Sequence, residues 1–519
     1  NKYSVQLAAC NLTIGAPDTD YERMNLYTLP HGPVDGKNGD RADGVRHGVL
    51  EKLLDEKKMA QMVMMPPPPL YGTGVMQKEV TELDVPEEYE VVIYNPPFTK
   101  SEKQAEKYGD AVKNAMRNKL QAIKSALESR DPDAAQAIAT GSIRPFFTPL
   151  AIGLLSRKGK MAEIVPATAC TSENGKAERQ YIAGNLHVEM VVTSHDPKHM
   201  NFSENTNIHE CLVIGKRGAG NDKPTRFIQL AKYPGDAKTA EKLITAIESG
   251  DADGRYTETL WPADKVRAGD WSPVQWMNSE LANVAQEIKE FPKLTNAGNY
   301  RWSSTTQTLP AIFDREEVWR GPKKETGNVF CTIDQNAVQT INALPTHKAT
   351  PKAGEERRAE KSWQDADYAL VVVKLSTTST RVTAVYSETP ALGNIFRPIG
   401  VMDQEIAKAY VAFMNSSFGI LQLLNLRSRK LTFPTYTPSQ MRTLMLPDPA
   451  TADLAPLLDA FEQVKNTPLQ RLSQCAQDPA RQTLDHAAAQ TLGVAPAQTD
   501  QWRKWLSREP TITNKPAVF

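Results

Sequence analysis

Apolar positions along this chain fall into short runs separated by polar stretches, and their spacing predicts alternating strands and helices. Val91-Val92-Ile93-Tyr94 is a run of β-formers that halts at Asn95-Pro96-Pro97. It reads as a buried strand ending where the first proline removes a ladder donor. Residues 100–130 are charged and helix-prone, and Phe147, Leu150 and Leu154 continue at helical spacing. That spacing predicts a helix over 143–156, closed by Gly159 as its C-cap, with a strand over 161–166. Helix, Lys-Gly-Lys, strand and proline in that order suit a doubly wound sheet. Residues 188–192 and 210–214 are predicted to be an antiparallel strand pair.

The flanking regions read differently. Residues 3–14 predict a helix stopped by Pro17, and 25–29 a short strand. Residues 30–76 are rich in Gly, Asp and Pro and read as irregular, and 218–275 read as a connector. From Trp276 onward, strand-like runs at 329–333, 369–375 and 381–386 alternate with polar loops. Asp403 is placed to cap an apolar helix bearing Ile406, Tyr410, Phe413, Leu421 and Leu424. From Ala450 the Ala, Leu and Gln content predicts a helical tail. The expected division is 1–217, 218–275, 276–449 and 450–519.

Composition narrows the class. A chain of 519 residues has material for two or three domains. Lys+Arg and Asp+Glu are both 61, so any nucleic-acid contact must come from a local patch rather than a global field. The cysteines (Cys10, Cys170, Cys211, Cys331, Cys475) lack CxxC spacing, which fits a reduced cytosolic protein. No apolar run has bilayer length, so no membrane partner is expected. His195, His199, His209 and Cys211 lie close in sequence. Yet Pro197 interrupts a helical His-x-x-x-His face and no second cysteine pair completes a tetrahedron, so no metal is expected.

Asn95-Pro96-Pro97-Phe98 carries the chemistry. Two prolines fix φ and stiffen the corner. The Asn95 side-chain oxygen and the Pro96 carbonyl can each accept one N–H from an exocyclic –NH2, and Phe98 can stack on a planar base. Two fixed acceptors would draw the amine lone pair out of conjugation and aim it at an electrophile. A base inside a duplex cannot reach such a pocket and would have to be flipped out. The plainer reading is a strand-to-loop turn in which Asn95 caps and Phe98 packs in the core.

The motif resembles the fourth motif of S-adenosylmethionine-dependent amino-group DNA methyltransferases, in the Asn-Pro-Pro-aromatic form usual in N6-adenine enzymes. The resemblance implies a class I, Rossmann-like α/β sheet lacking its first strands, then an α+β target-recognition domain and a helical tail. It implies S-adenosylmethionine as cofactor, double-stranded DNA as substrate and a restriction or specificity subunit as partner. By the same comparison the ribose-binding acid would lie about two residues before Asn1, and the glycine-rich motif further upstream. Residues 44–54 resemble the third motif without its aspartate, which makes Leu50 either an adenine contact or a core leucine. Residues 200–208 resemble the eighth motif, in which Phe202 either faces the flipped base opposite Phe98 or plugs the sheet edge. After the apolar helix, residues 427–436 place Arg427, Arg429 and Lys430 beside aromatics. This pattern suits phosphate and exposed bases, or equally a solvated loop with buried rings. Two rival readings remain: methylation of protein glutamine or RNA, and a non-catalytic DNA-binding subunit with a relic of the fold.

Overall fold

The computed structural model describes residues 27–28, 31–33, 45–54, 73–74, 88–98, 109–138, 142–203, 208–218, 222–302, 309–317, 330–333, 338–342, 347–376, 378–393, 395–401, 403–427 and 436–517. The helix expected over 3–14 and most of the irregular region over 30–76 lie outside them. Of the strand expected over 25–29, Tyr27–Thr28 is described.

The first unit is a six-stranded mixed sheet with helices. Its strands are β1 (Tyr89–Tyr94), β2 (Leu155–Pro166), β3 (Leu186–Ser194), β4 (Glu210–Arg217), β5 (Thr225–Leu230) and β6 (Tyr256–Trp261), in the spatial order β6-β5-β3-β4-β2-β1. β1 and β2 are parallel, as are β3 and β5, whereas β4 runs antiparallel to both β2 and β3. The carboxyl ends of β1, β2 and β3 and the start of β4 therefore share one edge of the sheet. α1 (Asp110–Arg130), α2 (Pro132–Ala137) and α5 (Lys176–Asn185, with α3 at Phe147–Gly153 and α4 at Ala167–Thr171 between) pack their apolar faces into one core with β2, β3 and β4.

Several expectations change. β1 was expected to be buried, but among the described strands it has a neighbour on one side only, and Val91 and Ile93 are 57% and 76% exposed. Gly159 is not a helix cap. The helix ends at Gly153 and β2 starts at Leu155, so Gly159 lies within the strand. There a β-bulge between Tyr89 and Val91 brings the Tyr89 carbonyl so close that an added Cβ would sit 2.9 Å from it. The antiparallel pair β3–β4 forms as expected. The stretch read as a connector continues the same sheet, supplying β5, α6 (Ala237–Ser249) and β6, and it buries Phe227, Trp261 and Trp271 in the core. Its polar composition belongs to the turns between these elements, which masked two strands each only six residues long.

The second unit is a seven-stranded sheet backed by helices. Its strands are β7 (Arg301–Trp302), β8 (Phe313–Glu317), β9 (Phe330–Ile333), β10 (His347–Pro351), β11 (Asp367–Val372), β12 (Ala384–Gly393) and β13 (Phe396–Gly400), in the order β7-β13-β11-β12-β9-β10-β8. The three strand-like runs read from the sequence fall on β9, β11 and β12. Asp403 caps as expected, its Oδ1 accepting the Ile406 N–H at 2.9 Å. The apolar helix is two helices, however: α7 (Gln404–Met414) and α8 (Ser417–Leu426). Asn415 ends the first by turning its amide to the Ala384 carbonyl and accepting from Thr383 N–H. Gly419 then lets α8 lie on the Met414 backbone, where an added Cβ would be 2.4 Å away. The tail is helical, with α9 (Ala455–Val464), α10 (Pro479–Leu492) and α11 (Pro496–Leu506) joining the core of this second unit.

Candidate active site

β1 delivers Asn95-Pro96-Pro97-Phe98 to the shared edge of the sheet. Asn95 and Pro97 are exposed, Pro96 is buried and Phe98 is half-buried. The Asn95 Nδ2 donates to Ser203 Oγ at 3.1 Å, and its Oδ1 has no partner among the described residues. Asn95 is therefore a side chain held by one end and open at the other. Ser203 belongs to the loop that joins β3 to β4 across the same edge. Its backbone N–H and that of Phe202 both donate to Glu210 Oε2 at 2.7 Å. Glu210 opens β4 opposite Pro166 and is fully buried.

Beneath the turn lies a buried charge cluster. Tyr94, the last residue of β1, is in register with Glu163 of β2. Arg144 clasps Glu178 of α5 through both terminal nitrogens and reaches Glu163 Oε1 at 3.3 Å. Thr148 Oγ1 donates to Glu178 at 2.7 Å. One guanidinium thus faces two carboxylates in the dry interior. Burial pushes the Glu163 carboxyl up to about 7; Arg144 opposes the rise and Glu178 adds to it. Burial, and next Glu163, hold the Tyr94 phenol well above its ordinary value.

The other sequence candidates are placed as follows. Leu50 is fully buried in the core of the first unit, the packing alternative. Phe202 is half-buried against a small core built from Ile228, Leu230, Leu243 and Tyr256, with its ring 6.0 Å from Tyr233. Its loop reaches Asn95 through Ser203. Arg427, expected to meet phosphate, is turned inward instead. It is 3% exposed, its guanidinium donates to the Gln275 carbonyl and to Thr511 Oγ1 at 2.8 Å each, and it lies 5.8 Å from the Trp276 ring. The basic run begins at the end of α8, where Arg427 packs against Gln275, Trp276 and Thr511. Arg429 and Lys430 lie outside the described residues. His195, His199 and His209 turn to separate partners, namely Glu509, Tyr233, and Ser194 with Thr193. Among the described residues no group of three His, Cys, Asp or Glu is placed to hold a metal.

No family model and no curated protein matches this chain. Solved structures do. The type IIG restriction endonuclease BpuSI is 13% identical, over 82% of this chain and 54% of that one, with a TM-score of 0.34. The type IIL restriction-modification enzyme MmeI in complex with DNA is 12% identical, over 87% of this chain and 63% of that one, with a TM-score of 0.39. A type I restriction-modification methyltransferase subunit from Streptococcus thermophilus is 17% identical over 36% and 37%, with a TM-score of 0.26. The chain spans about half the length of BpuSI. At such scores the likeness carries no argument about chemistry.

Ser203, Glu210, Glu163, Arg144 and Glu178 escaped the sequence reading. Two of them left a trace: Glu163 and Glu210 are acids set in or against apolar strand runs, where a charge needs a partner.

Proposed function

We propose that this chain is the amine-gripping part of a site-specific DNA methyltransferase of restriction-modification type, which methylates adenine N6. The observation that carries the reading is the Asn95 amide, exposed at the end of β1, tied by its nitrogen and open at its oxygen. Asn95 Oδ1 and the Pro96 carbonyl accept the two amine protons, and Phe98 stacks on the flipped base. The amine lone pair is then directed outward, and no histidine base is required. This matches the sequence logic of the Asn-Pro-Pro-Phe corner.

When bound, S-adenosylmethionine would supply an electrophilic methyl carbon. No contact to that cofactor is assigned among the described residues. Leu50 is a core side chain, and none of the glycines at positive φ (Gly218, Gly250, Gly254, Gly269, Gly354, Gly493) follows β1, β2 or β3. The chemistry assigned to these residues is therefore confined to holding the base and its amine. Double-stranded DNA is the substrate in this reading, and a restriction or specificity subunit is the partner.

Asn95→Ala tests the reading. It should abolish methyl transfer to adenine while leaving DNA affinity and melting temperature nearly unchanged, because an exposed side chain contributes little to the core. Near-normal turnover by this variant would overturn the assignment.

A further inference from the structure

An asparagine amide has two ends of similar size and opposite hydrogen-bonding sense. Only its oxygen can accept from a substrate amine; its nitrogen would meet that amine donor to donor. A gripping asparagine therefore needs something that decides which end faces outward. In this structure the Asn95 nitrogen is engaged by Ser203 Oγ at 3.1 Å, which turns Oδ1 away from the loop.

Ser203 is itself held. Glu210 Oε2 accepts from both Phe202 and Ser203 N–H at 2.7 Å, so one carboxylate oxygen gathers two consecutive backbone donors. The Glu210 N–H donates to the Met200 carbonyl at 3.1 Å, and Asn201 Nδ2 donates to the Ser203 carbonyl at 2.6 Å. The loop from 200 to 203 is thus folded upon the first residue of β4. That residue is fixed by its ladder pairing with Pro166, and its side chain is fully buried. Glu210 Oε1 has no hydrogen-bond partner among the described residues. A fully buried carboxylate gripping two N–H groups of a half-buried loop places Ser203 far more firmly than loop packing would.

We infer that Ser203 and Glu210 are positioning residues for the amine grip: Glu210 holds the loop, and Ser203 orients the Asn95 amide with its oxygen toward the substrate. The inference rests on the proposed adenine methylation. It adds a link that neither loop shows alone, since Asn95 and Ser203 are 108 residues apart in sequence. Neither residue touches the base. Their removal acts on turnover rather than on capture of DNA.

The test uses the full protein and two readouts. Ser203→Ala removes the acceptor, Ser203→Thr restores it, and Glu210→Ala releases the loop. The first readout is the side-chain amide resonance of Asn95 in the protein labelled with 15N asparagine, assigned by its loss in Asn95→Ala. It should move in Ser203→Ala and Glu210→Ala and stay in Ser203→Thr. The second is methyl transfer to adenine. Here kcat should fall about tenfold or more in the first two variants, with KM for DNA unchanged, and recover in Ser203→Thr. An Asn95 resonance indifferent to Ser203→Ala would overturn the inference, as would a shifted resonance with undiminished kcat. Should Glu210→Ala fail to fold, the Ser203 pair decides alone. Wild-type protein that methylates no adenine would refute the functional reading and, with it, the assigned role in turnover. The amide resonance would still decide whether Ser203 orients Asn95.

Discussion

Glu163→Gln isolates the buried charge cluster beneath the turn. In the folded protein, burial pushes the Glu163 carboxyl up to about 7, from an ordinary value near 4.5. A carboxyl raised on folding binds more protons in the native than in the unfolded state between those two values. Its folded form is therefore favoured below about pH 4.5 and loses stability as pH climbs to about 7. At about 1.4 kcal/mol for each pH unit of that window, the wild type gives up roughly 3 kcal/mol between its ends. Glutamine has nearly the same shape and no proton to lose, and Arg144 keeps its two-pronged contact with Glu178. The variant should match the wild type near pH 5 and exceed it by roughly 2–3 kcal/mol near pH 8. Because the described residues build two large sheets, the assay must be local. Native-state hydrogen exchange on peptides covering β2, compared between variant and wild type at each pH, reads the opening free energy of this layer. A variant equally destabilised at both ends of the window would mean that Glu163 is ionised throughout, and the shared-guanidinium argument would fail.

Three further outcomes are expected. Phe98→Tyr should keep most methyl transfer and Phe98→Ala should lose about tenfold or more, since stacking is worth about 1–3 kcal/mol per base; equal activity in both would place the ring in the core. Arg427→Ala should lower stability by about 2–4 kcal/mol in chemical denaturation, because Gln275 and Thr511 lose a buried charged donor. Its slope of DNA affinity against salt should not change; a shallower slope would show a phosphate contact instead. Gly419→Ala should cost about 3 kcal/mol of unfolding free energy, because its Cβ would meet the Met414 backbone at 2.4 Å; a neutral effect would mean that α7 and α8 separate at little cost.

What could be read from the sequence was local. Val91 to Tyr94 announced a strand, Asn95-Pro96 its end, and Asp403 a helix cap, because each depends on neighbours a few residues away. That β1 has a single neighbour among the described strands was illegible, since an apolar run looks the same with one neighbouring strand or two. Gly159 misled for a related reason: after a helical stretch it signals a cap, and only the bulge at Tyr89 reveals a close approach. The site divided in the same way. Asn95, Pro96 and Phe98 stand in one tetrapeptide, whereas Ser203 and Glu210 acquire their meaning from contacts across 108 and 7 residues. Arg427 was a cation beside aromatics, a pattern shared by a nucleic-acid surface and a buried guanidinium on Trp276.

Glu509 has a bearing on how the protein is made. Its carboxylate accepts from the N–H groups of Met277 and Asn278, where the first sheet hands the chain to the second, and it lies 3.8 Å from the buried His195. Asn278 leaves the ribosome 231 residues before its acceptor does. At about 5–20 residues per second, that interval is roughly 10–50 s. Throughout it the first sheet can be assembled while its junction still lacks the group that seals it. The nascent protein would spend that time with the Met277 and Asn278 N–H groups awaiting their acceptor, and a ribosome stalled anywhere in the interval would leave that junction unsealed.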